Sequence, residues 1–321
     1  WDSSIYNDSH TPIRFNAVVR LFSFGEYHVH TVFASAMSLA GGVALYKALL
    51  MVVPKLRKLL FASTLLWPSL LFWTSAGTKE ALLMTGLGFF LWCLFGIVHG
   101  PAKFWQVLLG VLSLLLLLVV KSYALMSLAP ALGFYFWARK GGYTWTKLLA
   151  VHGVVLVLVL ISGKVIEGYD VLDLLAVKQR DLIGMATSVG SGSLLMPPPL
   201  EPHLWSFVKN APHALYMTFL APFAMWDRGG MGLLSALENV LVVGLPILAL
   251  AWSGRRSTWD LPALLFAASV VLYLSLVIGW TTPVVGALVR YRVPMLPFVS
   301  LCAILFVDPQ RIPGRLRSLL T

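Results

Sequence analysis

The chain has 321 residues, of which 59% are hydrophobic and only 12% charged, and it carries a formal net charge of +11 and two cysteines. Apolar runs recur along it at roughly the 20-residue length a helix needs to cross a bilayer, without the ten-residue alternation that would signal a membrane barrel. Cys93 and Cys302 both fall inside apolar runs, which argues against a disulfide framework or a cysteine-based metal site.

The expected fold class is all-α: a polytopic integral membrane protein of about nine transmembrane helices, with further interfacial helices on its outer face. Residues 1–28 form an outer-face amphipathic segment in which Asp2, Asp8, His10, Arg14, Arg20, Glu26 and His28 surround the aromatic run Phe15–Phe24. That run reads as a helix lying among headgroups. His28 and His30 are two apart and diverge on a helix, which disfavours a shared metal. Spans at 29–53, 58–75, 80–98, 104–120, 123–138 and 148–163 make up a first membrane region over 29–163. Pro68 removes a helical hydrogen bond within the second of these, and the small residues 74–78 form a tight turn after it. Thr78 is placed to cap the next helix, with Lys79 and Glu80 in its first turn. Residues 164–230 read as an extracytoplasmic loop holding an acidic stretch, the Ser188–Ser193 Gly/Ser run as a flexible turn, and one or two interfacial helices over 207–225. The Gly/Ser run lacks the pattern of a phosphate-binding P-loop. Spans at 231–252, 260–280 and 292–307 complete the membrane part over 231–307, and 308–321 is a cytoplasmic tail.

Charge sets the expected orientation. Basic connections at 54–57, 99–103 and 139–147 alternate with 76–79 and 121–122, so the positive-inside rule places the basic set in the cytoplasm. Keeping 207–225 on the outer surface returns Arg255, Arg256, Arg311, Arg315 and Arg317 to the same inner side. Eleven of the 24 Lys and Arg residues then lie outside with eleven of the 13 Asp and Glu residues, so the whole excess charge is inside. The positive charge is a topology signal and does not call for nucleic acid. The amino end of the chain is placed outside and the carboxyl end in the cytoplasm. An outside amino end with no apolar segment before about Val29 predicts a preceding inside-to-outside helix.

Arg290-Tyr291-Arg292 stands at the edge of the last span, where a guanidinium pair suits a phosphate or pyrophosphate. The alternative is that these arginines only anchor the helix among headgroups. Lys79, a cation at a helix N-terminus, is unfavourable unless an anion or acid lies close by. Glu238 and Asn239 lie about two turns into the seventh span, where a carboxylate requires a partner; one of the outer-face cations is expected to supply it.

The stretch Arg290-Tyr-Arg-Val-Pro-Met-Leu-Pro-Phe298, together with Thr78-Lys79-Glu80 after an aromatic, proline-containing helix, resembles bacterial polytopic glycosyltransferases of the GT-C type. Glu201–Trp226, leading to Leu237-Glu238-Asn239, is similar to membrane proteins of cell-envelope polysaccharide synthesis. The resemblance implies transfer of a sugar from a polyprenyl-phosphate carrier to an acceptor on the extracytoplasmic face of the bacterial inner membrane. It implies Arg290, Arg292 and Lys79 at the phosphate, supported by Tyr291, Glu238 and Asn239. It also implies a catalytic carboxylate in the first outer loop: Asp2 or Asp8, with Glu80 less favoured. Two other readings use the same residues: a lipid-linked polysaccharide polymerase or ligase, and a non-catalytic accessory subunit of a larger membrane assembly. A channel or transporter fits least, because the spans carry few ionisable residues. The expected partners are the lipid-linked sugar, membrane lipid and, for the accessory reading, other membrane subunits. No organic cofactor is expected, and no compact ligand cluster specifies a metal.

Overall fold

The structure, a computed structural model, describes residues 10–221, 223, 229–254 and 259–314. Asp2 and Asp8 lie outside the described residues. The described chain is helical, and seven of its helical segments are long and apolar enough to cross a membrane. The helices are α1 Thr11–Ser23, α2 Tyr27–Val52, α3 Arg57–Leu65, α4 Pro68–Thr74, α5 Lys79–His99, α6 Phe104–Ala138 and α7 Thr144–Val165. They continue as α8 Val171–Ser188, α9 Leu204–Phe219, α10 Gly229–Ala251, α11 Leu261–Thr281, α12 Val285–Tyr291 and α13 Leu296–Phe306. They form two compact units: residues 1–126, 249–258 and 303–321 in the first, and 127–248 and 259–302 in the second.

Three of the first five expected spans take a different form. The span expected at 58–75 is two short helices, because Leu66 and Trp67 leave the helical conformation ahead of Pro68, which opens α4. The spans expected at 104–120 and 123–138 are merged in the 35-residue α6, whose backbone is non-helical at Lys121 (φ −157°, ψ 86°).

The first unit is built on α2 and α5, which run parallel: Ser35 Oγ donates to the Ser75 carbonyl, Gly41 faces Thr85, and Lys47 stacks over Trp92. Parallel neighbours need a return path, which α3 and α4 supply. Small residues make the α2–α5 contact close: Ala34, Ser38 and Gly41 are buried on α2, as are Ala81 and Gly88 on α5, while Gly42 faces Leu65 of α3. A methyl at Gly88 would strike the Gly41 carbonyl, and one at Gly41 would lie 2.5 Å from the Met84 carbonyl oxygen. Backbone cannot yield as a side chain can. Gly88→Ala is therefore expected to destabilise the protein by about 1–3 kcal/mol, while Gly133→Ala, where nothing lies within 4 Å, should be neutral or mildly stabilising. Thermal unfolding of both variants in detergent checks this.

The first half of α6 packs antiparallel to α5, with Leu117 against Gly86, Cys93 against Gly110 and Trp92 against Trp105. Helix α1 lies over the same end. Thr11 donates to the Val119 carbonyl (3.1 Å), while His30 is held through both ring nitrogens by Ser23 (2.6 Å) and Asn16 (2.9 Å). Ile13, Val18, Leu21 and Phe22 leave an apolar face of α1 exposed, as an interfacial helix requires. At the other end Lys55 donates to the Val307 carbonyl (2.6 Å), Ser253 bridges Val307, and Arg311 donates to the Ser253 carbonyl (2.7 Å). Three of the stretches assigned to the cytoplasm from their charge, at Lys55, Ser253 and Val307–Arg311, thus meet at one end of this unit, opposite α1 and residues 75–80.

In the second unit the end of α6 runs antiparallel to α11, with Tyr135 against Phe266 and Arg139 paired to Asp260 at 2.8 Å. Helix α7 runs parallel to α11, and His152 spans the two by stacking on Tyr273 and bonding Ser269 (3.1 Å). Helix α9 lies antiparallel along α11: Phe207 meets Trp280, Ala214 abuts Gly279, and Thr218 donates to the Ser275 carbonyl (2.7 Å). The stretch 207–225, expected to hold interfacial helices, contains most of α9, whose contacts with α11 are at its last turns, Ser275–Trp280.

Candidate functional site

The candidate site lies in the second unit, where the chain between α7 and α9 folds over the junction of α11 and α12. Asp170 opens α8 by accepting from the amides of Leu172 (2.9 Å) and Asp173 (3.3 Å). The Gly/Ser run closes the same helix. Gly190 takes a left-handed conformation (φ 61°), its amide donates to the Thr187 carbonyl, and the Ser191 amide reaches Ala186. This is a glycine-terminated helix end, more ordered than a flexible turn. Beyond it Leu194 bridges Val284, with Leu195 donating to the Pro283 carbonyl at 2.7 Å. The buried Gln179 donates to the carbonyls of Pro198 (3.0 Å) and Trp280 (2.8 Å) and accepts from the Leu200 amide (2.9 Å). One glutamine thus satisfies three otherwise stranded backbone groups and holds the proline-rich strap to the end of α11. Nothing in the sequence pattern singled it out.

The last membrane-spanning segment begins at Val285, earlier than expected, and is broken: α12, a single 3-10 turn at Val293–Met295, then α13. Pro294 and Pro297 account for the interruption. Arg290 and Arg292 therefore lie at a break within a spanning segment, where the sequence reading put them at its edge. Arg292 is fully buried. Its Nη1 donates to Asn239 Oδ1, and its Nη2 stands 3.8 Å from Glu238 Oε2. Asn239 Nδ2 in turn donates to the Phe219 carbonyl at the end of α9 (2.9 Å). The cation expected to partner Glu238 is thus Arg292, and the cluster joins α9, α10 and the helix break. Arg290 and Tyr291, on the last turn of α12, remain partly exposed.

Buried side-chain atoms that lack a hydrogen-bond partner among the described residues gather on these same elements. They include Arg292 Nε and Nη2, Trp280 Nε1, Thr282 Oγ1, Ser235 Oγ and His213 Nε2. Arg292 and Trp280 offer N–H donors and Thr282 and Ser235 offer hydroxyls that both donate and accept. Stranded buried donors are costly, and an anionic, acceptor-rich group is the natural complement. Between α7 and α8 a cavity of about 310 Å3 is lined by Lys164, Asp170 and Asp173.

Lys79 and Glu80 belong to the first unit. Glu80 is fully buried and accepts from Lys121 Nζ at 2.7 Å, which is a structural ion pair at the point where α6 departs from helical geometry. Thr78 does not cap α5 with its side chain as expected; its hydroxyl donates to the Trp73 carbonyl (2.7 Å), an acceptor exposed by the end of α4. Lys79 is half-buried on the first turn. Among the described residues no group of three His, Cys, Asp or Glu side chains is placed to hold a metal. Comparison of this chain with protein-family models, with curated proteins and with solved structures finds no match.

Proposed function

We propose that the protein is a membrane glycosyltransferase of GT-C type, which moves a sugar from a polyprenyl-phosphate carrier to an acceptor at the outer face of a bacterial inner membrane. The observation that carries this reading is a fully buried arginine, Arg292, at a break in a spanning helix, with a second, partly exposed arginine two residues before it. The two arginines divide the work. Arg292 is bound to Glu238 and Asn239 and fixes the broken helix; Arg290, partly exposed on α12, meets the phosphate. As the glycosidic bond breaks, the departing phosphate gains charge, and a guanidinium already in place stabilises it without reorganisation. Tyr291 supports the same turn. The acceptor hydroxyl loses its proton to an outer carboxylate, Asp2 or Asp8; Glu80, buried against Lys121, is given to structure.

The sidedness follows from charge. The end of each unit rich in Lys and Arg connections faces the cytoplasm, and the α7–α9 segment and the α11–α12 junction face outward. The cavity lined by Lys164, Asp170 and Asp173 is then on the acceptor side, where carboxylates are suited to sugar hydroxyls.

The test is transfer from a panel of polyprenyl-phosphate sugars by the protein reconstituted in vesicles. Arg290→Gln is expected to lower the rate at least ~100-fold, the scale of losing one preorganised charge-stabilising group, and Arg290→Lys to lose less. Unchanged transfer in Arg290→Gln, or no transfer from any lipid-linked sugar by the wild type, would reject the reading.

A further inference from the structure

The polar cavity between α7 and α8, about 310 Å3 in volume, is lined by Leu160, Gly163, Lys164, Gly168, Asp170 and Asp173. Two glycines shape it. A Cβ at Gly163 would stand 2.9 Å from that of Asp170 and 3.1 Å from its Oδ2, so α7 and the start of α8 come this close only because that side chain is missing. Gly168 turns the chain back in a left-handed conformation (φ 79°) and brings no side chain into the space. The two walls are tied to each other: Ser162 Oγ, on α7, accepts from the Val171 amide at the start of α8 (3.1 Å). Asp170 Oδ1 is held by the amides of Leu172 and Asp173, which leaves Oδ2 beside Gly163.

Each charge is favourable for its own helix end: Lys164 on the last turn of α7, Asp170 as the cap of α8 and Asp173 in its first turn. Helix ends explain the signs, but not why opposite charges line one cavity without pairing. Among the described residues Lys164 makes no ion pair with Asp170 or Asp173. A cation in this cavity would meet Lys164, and an anion would meet two carboxylates. A neutral polyol satisfies both, because a hydroxyl donates to a carboxylate and accepts from an ammonium. Leu160 adds an apolar wall for the C–H face of a ring. The volume is at the low end of the ~300–1,000 Å3 of ligand sites and suits about one or two sugar rings.

We infer that this cavity is the acceptor subsite and that the acceptor is a neutral saccharide, with Asp170 and Asp173 accepting from its hydroxyls and Lys164 donating to its oxygens. Its role as acceptor rests on the glycosyltransferase reading; the binding of a saccharide does not.

The test has two arms, both on the full chain in lipid nanodiscs. In the first, without donor, saturation-transfer NMR measures binding of a panel of neutral mono- and disaccharides built from the common hexoses. At least one should bind the wild type, and Asp173→Asn and Lys164→Gln should each weaken it ~10-fold or more, the scale of losing a hydrogen bond to a charged group. Both residues are exposed, so the variants keep the fold. Asp181→Asn, on α8 but outside the cavity, should bind as the wild type does. In the second arm, with a polyprenyl-phosphate sugar as donor, the two cavity variants should raise KM for the saccharide with little change in kcat. Absence of saccharide binding to the wild type, or equal binding by the wild type and the two variants, would overturn the inference whether or not transfer occurs. Binding that is weakened in both variants, but with no transfer from any lipid-linked donor, would uphold the saccharide site and reject its role as acceptor.

Discussion

Arg292→Met is expected to destabilise the protein by about 3–5 kcal/mol, because it leaves the buried Glu238 carboxylate without its cation. The size of the effect comes from the stranded partner more than from the lost attraction. A Coulombic contact at 3.8 Å between buried charges is largely offset by the cost of removing both from water. The double variant Arg292→Met with Glu238→Met should therefore recover most of the loss. A residue of roughly 1 kcal/mol should persist, since the Asn239 carbonyl also loses its donor. Thermal unfolding of the two single variants and the double variant in detergent closes the cycle. Additive losses in the double variant would mean that the arginine and the glutamate do not act as a pair.

Lys121→Met should be damaging on the same scale, about 3–5 kcal/mol, by stranding Glu80. Here the two groups are in direct hydrogen-bonded contact at 2.7 Å, and both side chains are almost wholly buried. Glu80→Gln keeps an acceptor for the lysine and should cost less than Lys121→Met. The double variant Lys121→Met with Glu80→Met should return to within ~1 kcal/mol of the wild type, as apolar replacements of buried ion pairs commonly do. The same variant separates two roles for Glu80. If the carboxylate only secures the α5–α6 turn, the double variant keeps sugar transfer; if it is the catalytic base, transfer disappears while stability is restored.

The membrane-spanning helices were legible because their signal is composition over about 20 residues, which needs no knowledge of neighbours. What the sequence could not display were contacts. The expected span at 58–75 contains Pro68, a visible warning, yet where the helix is interrupted depends on how α3 and α4 return between parallel helices. Lys121 was read as part of an outer turn; its pairing with Glu80 joins residues 41 apart. Glu238 was expected to find an outer cation because an isolated carboxylate in a span is untenable, and Arg292 fills that role. Gln179 was invisible for the opposite reason: an amide in a polar stretch attracts no attention until three backbone groups converge on it. The small residues at 34, 38, 41 and 88 hold a pattern that a sequence reader can learn to see, since spacing of three and four with minimal side chains is a helix-contact signature in membranes.

The assignment of Arg290 to the donor phosphate is tested most directly by measuring polyprenyl-phosphate binding to the intact protein with native mass spectrometry, in wild type and in Arg290→Gln. Wild type is expected to retain the lipid phosphate, Arg290→Gln to lose it, and the folded Arg292→Met/Glu238→Met variant still to bind. Equal retention by wild type and Arg290→Gln would contradict it.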